Sequence, residues 1–434
     1  MSVVGVDAYE ELRHQALEAL RIRSIDLRDI GEVKTLVQQL VNQYQADATS
    51  GGSRRPLSDP ASMMGRLTRS LLEYGPLTPF LDGSLDFEEL IVHGSNVMYI
   101  DTDGRMLAWP DPVSEEEVTH VVHKLLATIG QAVDESRPMI QAQILGGTAR
   151  IGVVVPPIAD SIDVTIRRYL SKRETFSELI EWEAINRPAA NLLSAAMATP
   201  TGVIVTGQPG SGKTTLINAM LRAAPSTLRV IACEDTPEVS VEHLHAARWK
   251  TRQAGPDGSN EVTLRDLVKI SLGMRPDLIV VGEVRGSEAY ELTRAGNAGA
   301  GMLSTIHANN ARQGLQALVS TAVMAGPNVA PEQIRSVFSS IVDLVVHTAK
   351  EPSAAMTGGV GGRRKIMEIV AVPPMQSDEF DFTTEPIFKR ESFDHELRWT
   401  GAPLPHDLEQ RLDLVLAPAG LTAGAILNGT GTVA

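Results

Sequence analysis

The 434-residue chain is 43% hydrophobic and 21% charged, the balance of an ordinary globular protein, and is long enough for roughly three domains. Its formal net charge of −14 argues against nonspecific nucleic-acid binding by the whole molecule, and its single cysteine, Cys233, excludes an internal disulfide framework and fits a reducing, cytoplasmic compartment. No run approaches the ~20 consecutive apolar residues of a transmembrane segment, and the start, MSVVGVDAYEELRH, lacks the apolar core of a signal peptide.

In chain order, residues 7–48 alternate apolar and charged positions at helical spacing, as in YEELRHQALEALRIR and EVKTLVQQLVNQY. ATSGGSRRPLSDP, from Ala48 to Pro60, reads as a connector. A second helical stretch ends at LLEYGPLTPFL, where Gly75-Pro76 and Pro79 stop it. From Phe87 to Ile166 the texture is α+β. ELIVHG and VMYIDTDGRML suggest a hairpin turning at Asp103-Gly104, EEEVTHVVHKLLATIG an amphipathic helix, and ARIGVVVPP and DVTIRRY further strands. Between about 172 and 350, the apolar runs GVIVTG, LRVIAC, LIVVGE and MLSTIHA alternate with helical stretches, which implies a parallel sheet covered by helices. TGGVGGRR then reads as a loop, IMEIVAV, PIFKRES and ELRWTG as a small β region, and a helix closes the chain. The expected divisions are a helical segment and linker over 1–62, an α+β domain over 63–170, an α/β P-loop domain over 171–350, and a small β region with a helix over 351–434.

GVIVTGQPGSGKTTLINAML carries the densest chemistry. Gly207, Gly212, Lys213 and Thr214 satisfy G-x-x-x-x-G-K-[ST], between a strand and a helix as the motif requires. Gly207, Gln208, Pro209, Gly210, Ser211 and Gly212 would curl their backbone around the phosphates of ATP. Lys213 would neutralise the β and γ phosphates, Thr214 would ligate Mg²⁺, and the helix entered through Thr215 would offer its positive end.

In open parallel sheets, ligands sit beyond the carboxyl ends of the strands. LRVIAC leads to Glu234 and Asp235, LIVVG to Glu283, and MLSTI to His307. A carboxylate at Glu283 suits holding metal-bound water or orienting the nucleophile, with Glu234 sharing that work. Asp235 is a third candidate acid, or a cap of the turn before Pro237. His307 suits a contact to the γ-phosphate. A P-loop kinase or a nucleotide-gated binding module competes for the cradle, but a kinase has no need of GEVRG followed by STIHAN.

GQPGSGKTT, VIACEDTPEV, RPDLIVVGEVRGSEA and GAGMLSTIHAN together resemble the Walker A, Asp box, Walker B and His box of the bacterial type II/IV secretion ATPases. They are most similar to the CpaF/TadA-like branch that powers tight-adherence (Flp) pili. The similarity continues through LLEYGPLTPFLDGSLDFEELIVHG and SRPMIQAQI, although QAQILGGTARIG departs from the family's common DARLPDGSRVN. The resemblance implies a RecA-like carboxy-terminal domain, a smaller amino-terminal domain, and a homohexamer. It also implies hydrolysis of ATP with Mg²⁺, in a motor lying peripherally on the cytoplasmic face of the inner membrane and driving platform proteins there. By the same resemblance Glu283 is the Walker B glutamate, Glu234 the Asp-box acid supporting Mg²⁺, and His307 the His-box residue. The family also brings arginines to the phosphates, with Arg150, Arg167 and Arg168 as candidates in the smaller domain and Arg265 and Arg275 in the RecA-like one. A conjugation-type ATPase serving DNA or protein transfer is the alternative within the same superfamily.

Overall fold

The computed structural model describes residues 4–26, 29–50, 55–102, 104–169, 174–252, 259–326, 328–352, 362–376 and 381–431. The chain forms two compact units, residues 1–170 and residues 171–434. Of the expected hairpin turn, Asp103 lies outside the described residues, as does most of TGGVGGRR.

The first unit opens with three helices, α1 (Val4–Arg23), α2 (Ile30–Thr49) and α3 (Pro60–Leu72). Asp29 caps α2 by accepting from the Glu32 N–H, and Asp59 caps α3 with Pro60 at its first turn. Their apolar stripes meet in one core that includes Tyr9, Leu12, Val33, Leu36, Val41 and Leu67. A six-stranded antiparallel sheet follows, built from β1 (Glu89–His93), β2 (Asn96–Ile100), β3 (Met106–Ala108), β4 (Met139–Ile144), β5 (Ala149–Val154) and β6 (Asp163–Arg168), in the order β3-β2-β1-β6-β5-β4. Alternate residues face inward: Ala149, Ile151 and Val153 on β5, Val164 and Ile166 on β6. These pack with Val118, Val122 and Leu125 of α4 (Glu115–Ala127).

The helices α1 and α3 are tied to α4 within this unit. The Tyr9 hydroxyl of α1 donates to the buried carboxylate of Glu117 on α4, and Arg66 of α3 donates to the same carboxylate at 3.2 Å while lying 3.6 Å from the Tyr9 ring centre. Glu117 also closes the capping box of α4 with Ser114.

The second unit is a three-layer α/β/α structure. Among the described residues its nine strands are β7 (Gly202–Thr206), β8 (Val230–Glu234), β9 (Ala247–Lys250), β10 (Leu278–Val281), β11 (Gly301–Ile306), β12 (Leu344–Lys350), β13 (Arg364–Ala371), β14 (Glu385–Lys389) and β15 (Arg398–Trp399). They lie in the order β15-β14-β13-β12-β7-β11-β10-β8-β9, parallel from β12 to β9 and antiparallel from β12 to β15. β7, β8, β10 and β11 are buried along their whole length, as strands covered on both faces must be. One covering layer holds α5 (Arg187–Met197), α6 (Lys213–Ala223) and the helix His406–Leu416. The other holds α7 (Leu264–Ser271), α8 (Glu288–Asn297), α9 (Ala311–Val323) and α10 (Pro331–Ile341). This is the RecA-like P-loop fold. The strands after residue 350 continue the same sheet rather than forming a region of their own, because the apolar run IMEIVA of β13 pairs along the open edge of β12.

Candidate active site

The loop between β7 and α6 is shaped by two glycines. Gly207 has φ +155°, and a Cβ there would fall 2.4 Å from Ser211 Oγ and from the Thr348 carbonyl oxygen, so only glycine fits. Gly212 is the left-handed cap of α6 at φ +94°. The buried Lys213 folds back over the loop, donating from Nζ to the carbonyls of Gly207 at 3.0 Å and Gln208 at 3.1 Å. Pro209 and Gly210 are exposed at the loop tip, and Thr214 and Thr215 follow in the first turn of α6.

β11 lies between β7 and β10, so its carboxyl end places His307 between Lys213 and Glu283. His307 Nδ1 is 3.2 Å from Lys213 Nζ and 3.2 Å from the Gly207 carbonyl. Its Nε2 is 2.6 Å from Glu283 Oε1, yet that oxygen receives no aligned hydrogen bond, so the contact is an electrostatic one. An Nδ1 that accepts from Lys213 leaves the ring proton on Nε2, facing the carboxylate. Arg285 Nη2 holds the other oxygen of Glu283 at 2.5 Å, and this bond raises the pKa of Arg285. Just beyond, Asn309 Oδ1 accepts from the Gln208 side chain at 3.2 Å, and Asn310 caps α9 through the Gln313 N–H.

Glu234 is bound into the turn that follows β8. It is 2% exposed, its Oε1 accepts the backbone N–H groups of Glu238 at 2.8 Å and Val239 at 2.9 Å, and burial pushes its pKa up to about 7. Gly282 makes room for it, since a Cβ there would fall 2.9 Å from the Glu234 Cγ. A carboxyl buried and occupied in this way anchors the turn of residues 234–239. The acid that the turn presents is Glu238, whose Oε2 accepts from Thr214 Oγ1 at 3.4 Å. The second glutamate of EDTPEV, four residues after the first, was its only signal in the sequence.

The candidate arginines lie in different places. Arg275 lies three positions before β10, at the opposite end of that strand from Glu283, because the residues before a parallel strand lie at its amino edge. It does not join the cradle of its own chain. Arg265 is paired with the buried Glu291 at 3.0 Å. In the first unit, Arg167 is exposed and stands in register between Arg150 on β5 and Glu89 on β1. Arg150 donates to the Gln141 side chain, and Arg168 donates to the Leu85 carbonyl at 3.2 Å. Among the described residues two further arginines, which sequence reasoning missed, contact the cluster. Arg285 stands beside Glu283 within GEVRG, and Arg364 of β13 donates from Nε to the Gly210 carbonyl at 2.9 Å. A cavity of about 330 Å³ lined by Ser194, Arg222, Pro225 and Val415 among others is separate from this cluster.

The profile of the type II/IV secretion system protein family matches residues 119–379. A putative conjugal transfer protein of Mycobacterium tuberculosis is 30% identical over 313 residues, covering 70% of this chain and 86% of that one. The probable conjugal transfer protein TrbB of Sinorhizobium fredii is 27% identical over 327 residues, covering 74% and 94%. Among solved structures, the Legionella pneumophila ATPase DotB aligns at a TM-score of 0.48 and 18% identity, covering 80% of this chain and 84% of that one. The profile spans more than half of the chain, and the mycobacterial relative matches over most of its own length: this chain is a member of the type II/IV secretion system protein family.

Proposed function

We propose that the chain is a Mg²⁺-dependent ATPase subunit of a secretion motor. The observation that carries this reading is the continuous contact from Lys213 through His307 to Glu283, which joins the phosphate cradle to a carboxylate whose Oε1 is buried and accepts no hydrogen bond. Lys213 would place its charge on the β and γ phosphates, where an ammonium acts as a point charge. Glu283, held from two sides by His307 and Arg285, would orient the attacking water and accept its proton. Thr214 Oγ1 and Glu238 Oε2 are both hard oxygen donors on the same side of the cradle, and they fit Mg²⁺. The ion would supply charge neutralisation across the phosphates when bound.

The finer reading is a homohexamer that lies peripherally on the cytoplasmic face of the inner membrane, where it drives the platform proteins of a tight-adherence pilus. Among the described residues no helix is long and apolar enough to cross a membrane, so such a motor would act through partners. A second reading, a conjugation-type ATPase, is favoured by one observation: the curated relatives above are named for conjugal transfer. Loss of surface pili on deletion of the gene supports the first reading, and loss of DNA transfer with pili intact supports the second. The test of the enzyme is direct. Lys213→Ala should cut Mg-ATP turnover by at least about 100-fold, the scale expected when a principal transition-state charge is removed. Glu238→Gln should raise the Mg²⁺ concentration needed for half-maximal turnover. A purified Lys213→Ala protein within about tenfold of wild type would defeat the assignment.

A further inference from the structure

β12 flanks the P-loop strand in parallel, with His347 in register with Thr206, so Thr348 stands beside Gly207 where the loop begins. At this point the pairing of β12 with β13 slips, from His347 opposite Glu368 to Thr348 opposite Ile366. A bulge of this kind re-aims side chains, and bulges concentrate beside functional sites. Thr348 is 3% exposed, and its hydroxyl works entirely on the loop. It donates to the Thr206 carbonyl at 3.1 Å and stands 2.8 Å from Ser211 Oγ. The backbone closes down on the same residue, since a Cβ at Gly207 would fall 2.4 Å from the Thr348 carbonyl oxygen. His347 adds a contact of 3.0 Å to Thr206 Oγ1. β13 adds the bond from Arg364 to Gly210, and Glu368 accepts the Ala311 N–H at 2.9 Å, at the start of the helix that follows His307.

We propose that Thr348 is a positioning residue for nucleotide binding, fixing the phosphate loop from a strand outside every recognised motif. The inference rests on the nucleotide reading of the cradle. Loop N–H groups bind an anion tightly only when they already point at one centre, and a loop with three glycines in six residues has much conformational freedom to lose. Thr348 ties residue 206 to residue 211, the two ends of that loop, and so removes the freedom before nucleotide arrives. Ser211 is committed to the same bond, which leaves phosphate contacts to the backbone and Lys213.

Thr348→Val keeps the shape of the side chain and removes the hydroxyl, while Thr348→Ser keeps the hydroxyl. The probe is a fluorescent non-hydrolysable ATP analogue, with KM, kcat and the melting temperature without nucleotide measured alongside. Losing one or two net hydrogen bonds predicts a Kd about 3–10-fold higher for Thr348→Val. KM should rise in parallel, kcat should stay within about threefold, and Thr348→Ser should lie near wild type. An unchanged Kd in Thr348→Val, even with a lower melting temperature, overturns the proposal and leaves Thr348 a core residue. A serine variant as defective as the valine variant overturns it too, since the hydroxyl would not be the cause. If Thr348→Val does not fold, Arg364→Met tests the same element through the Gly210 carbonyl, and an unchanged Kd there overturns it. A wild-type protein that fails to bind the analogue at all removes the nucleotide reading itself, a result distinct from equal binding by wild type and variant.

Discussion

Glu234 offers a test that reads its environment rather than its reputation. Burial lifts its carboxyl from 4.5 to about 7, and the two backbone N–H groups that it accepts reduce but do not cancel that rise. In the unfolded chain the group ionises near its ordinary value. Below about pH 4.5 both states carry the proton, and burial adds no penalty. Between pH 4.5 and 7 the unfolded chain releases the proton and the folded one does not, so stability falls as pH rises and levels off above 7. At about 1.4 kcal/mol per unit, the window is worth about 3 kcal/mol. Glu234→Gln removes the titration and adds a pH-independent offset from its amide N–H₂, so the quantity to read is slope. Denaturation of the nucleotide-free protein should be followed by tryptophan fluorescence in a Trp109→Phe background, which leaves Trp182, Trp249 and Trp399, all in the second unit. The stability of Glu234→Gln relative to its parent should improve by about 3 kcal/mol from pH 4.5 to 7.5. Parallel curves would mean that Glu234 is ionised in the fold, and its assignment as an anchor rather than a charged metal ligand would fail.

Two other expectations follow from the same geometry. Glu283→Gln and His307→Ala should both retain most nucleotide affinity, which the P-loop supplies, and lose turnover. Normal turnover per folded molecule in His307→Ala would reduce that histidine to packing. Arg390 is 5% exposed and donates to the carbonyls of Ile366, His395, Glu183 and Ala184, stapling β13 and β14 to the turn before α5. Arg390→Met removes those bonds from a buried site and should cost about 2–4 kcal/mol, read as a lower melting temperature of the second unit with little change in its nucleotide affinity.

The parts of the site legible in the sequence are those whose chemistry is local. A phosphate cradle needs Gly207, Gly212, Lys213 and Thr214 within eight residues, because one loop must do the wrapping. Strands covered on both faces read as unbroken apolar runs, so LIVV and MLSTI announced both themselves and the residues beyond their ends. Arg275 shows where nearness in sequence misleads. It is eight positions before Glu283, but a strand advances ~3.3 Å per residue, and the two residues flank opposite ends of β10. Glu234 and Glu238 show a subtler limit. Both belong to EDTPEV, and only the path of the turn decides which carboxylate is buried under its own backbone and which faces Thr214.

The contributions of β12 and β13 were illegible for a further reason. Thr348 is 137 residues from the Ser211 that it meets, and Arg364 is 154 residues from Gly210. No local spacing relates them. What brings them together is the sheet order: β12 pairs with the free side of β7 because β11 occupies the other, and β13 then has only the outer edge of β12 on which to pair. The cradle is therefore held along the strand from which it springs and across the strand beside it. A histidine at the end of β11 and a threonine on β12 reach the loop from its two sides, one linking it to Glu283 and one to the strand beside it. In such an arrangement the residues that form the loop can be read from a motif, while the residues that hold its shape must be sought on the neighbouring strands.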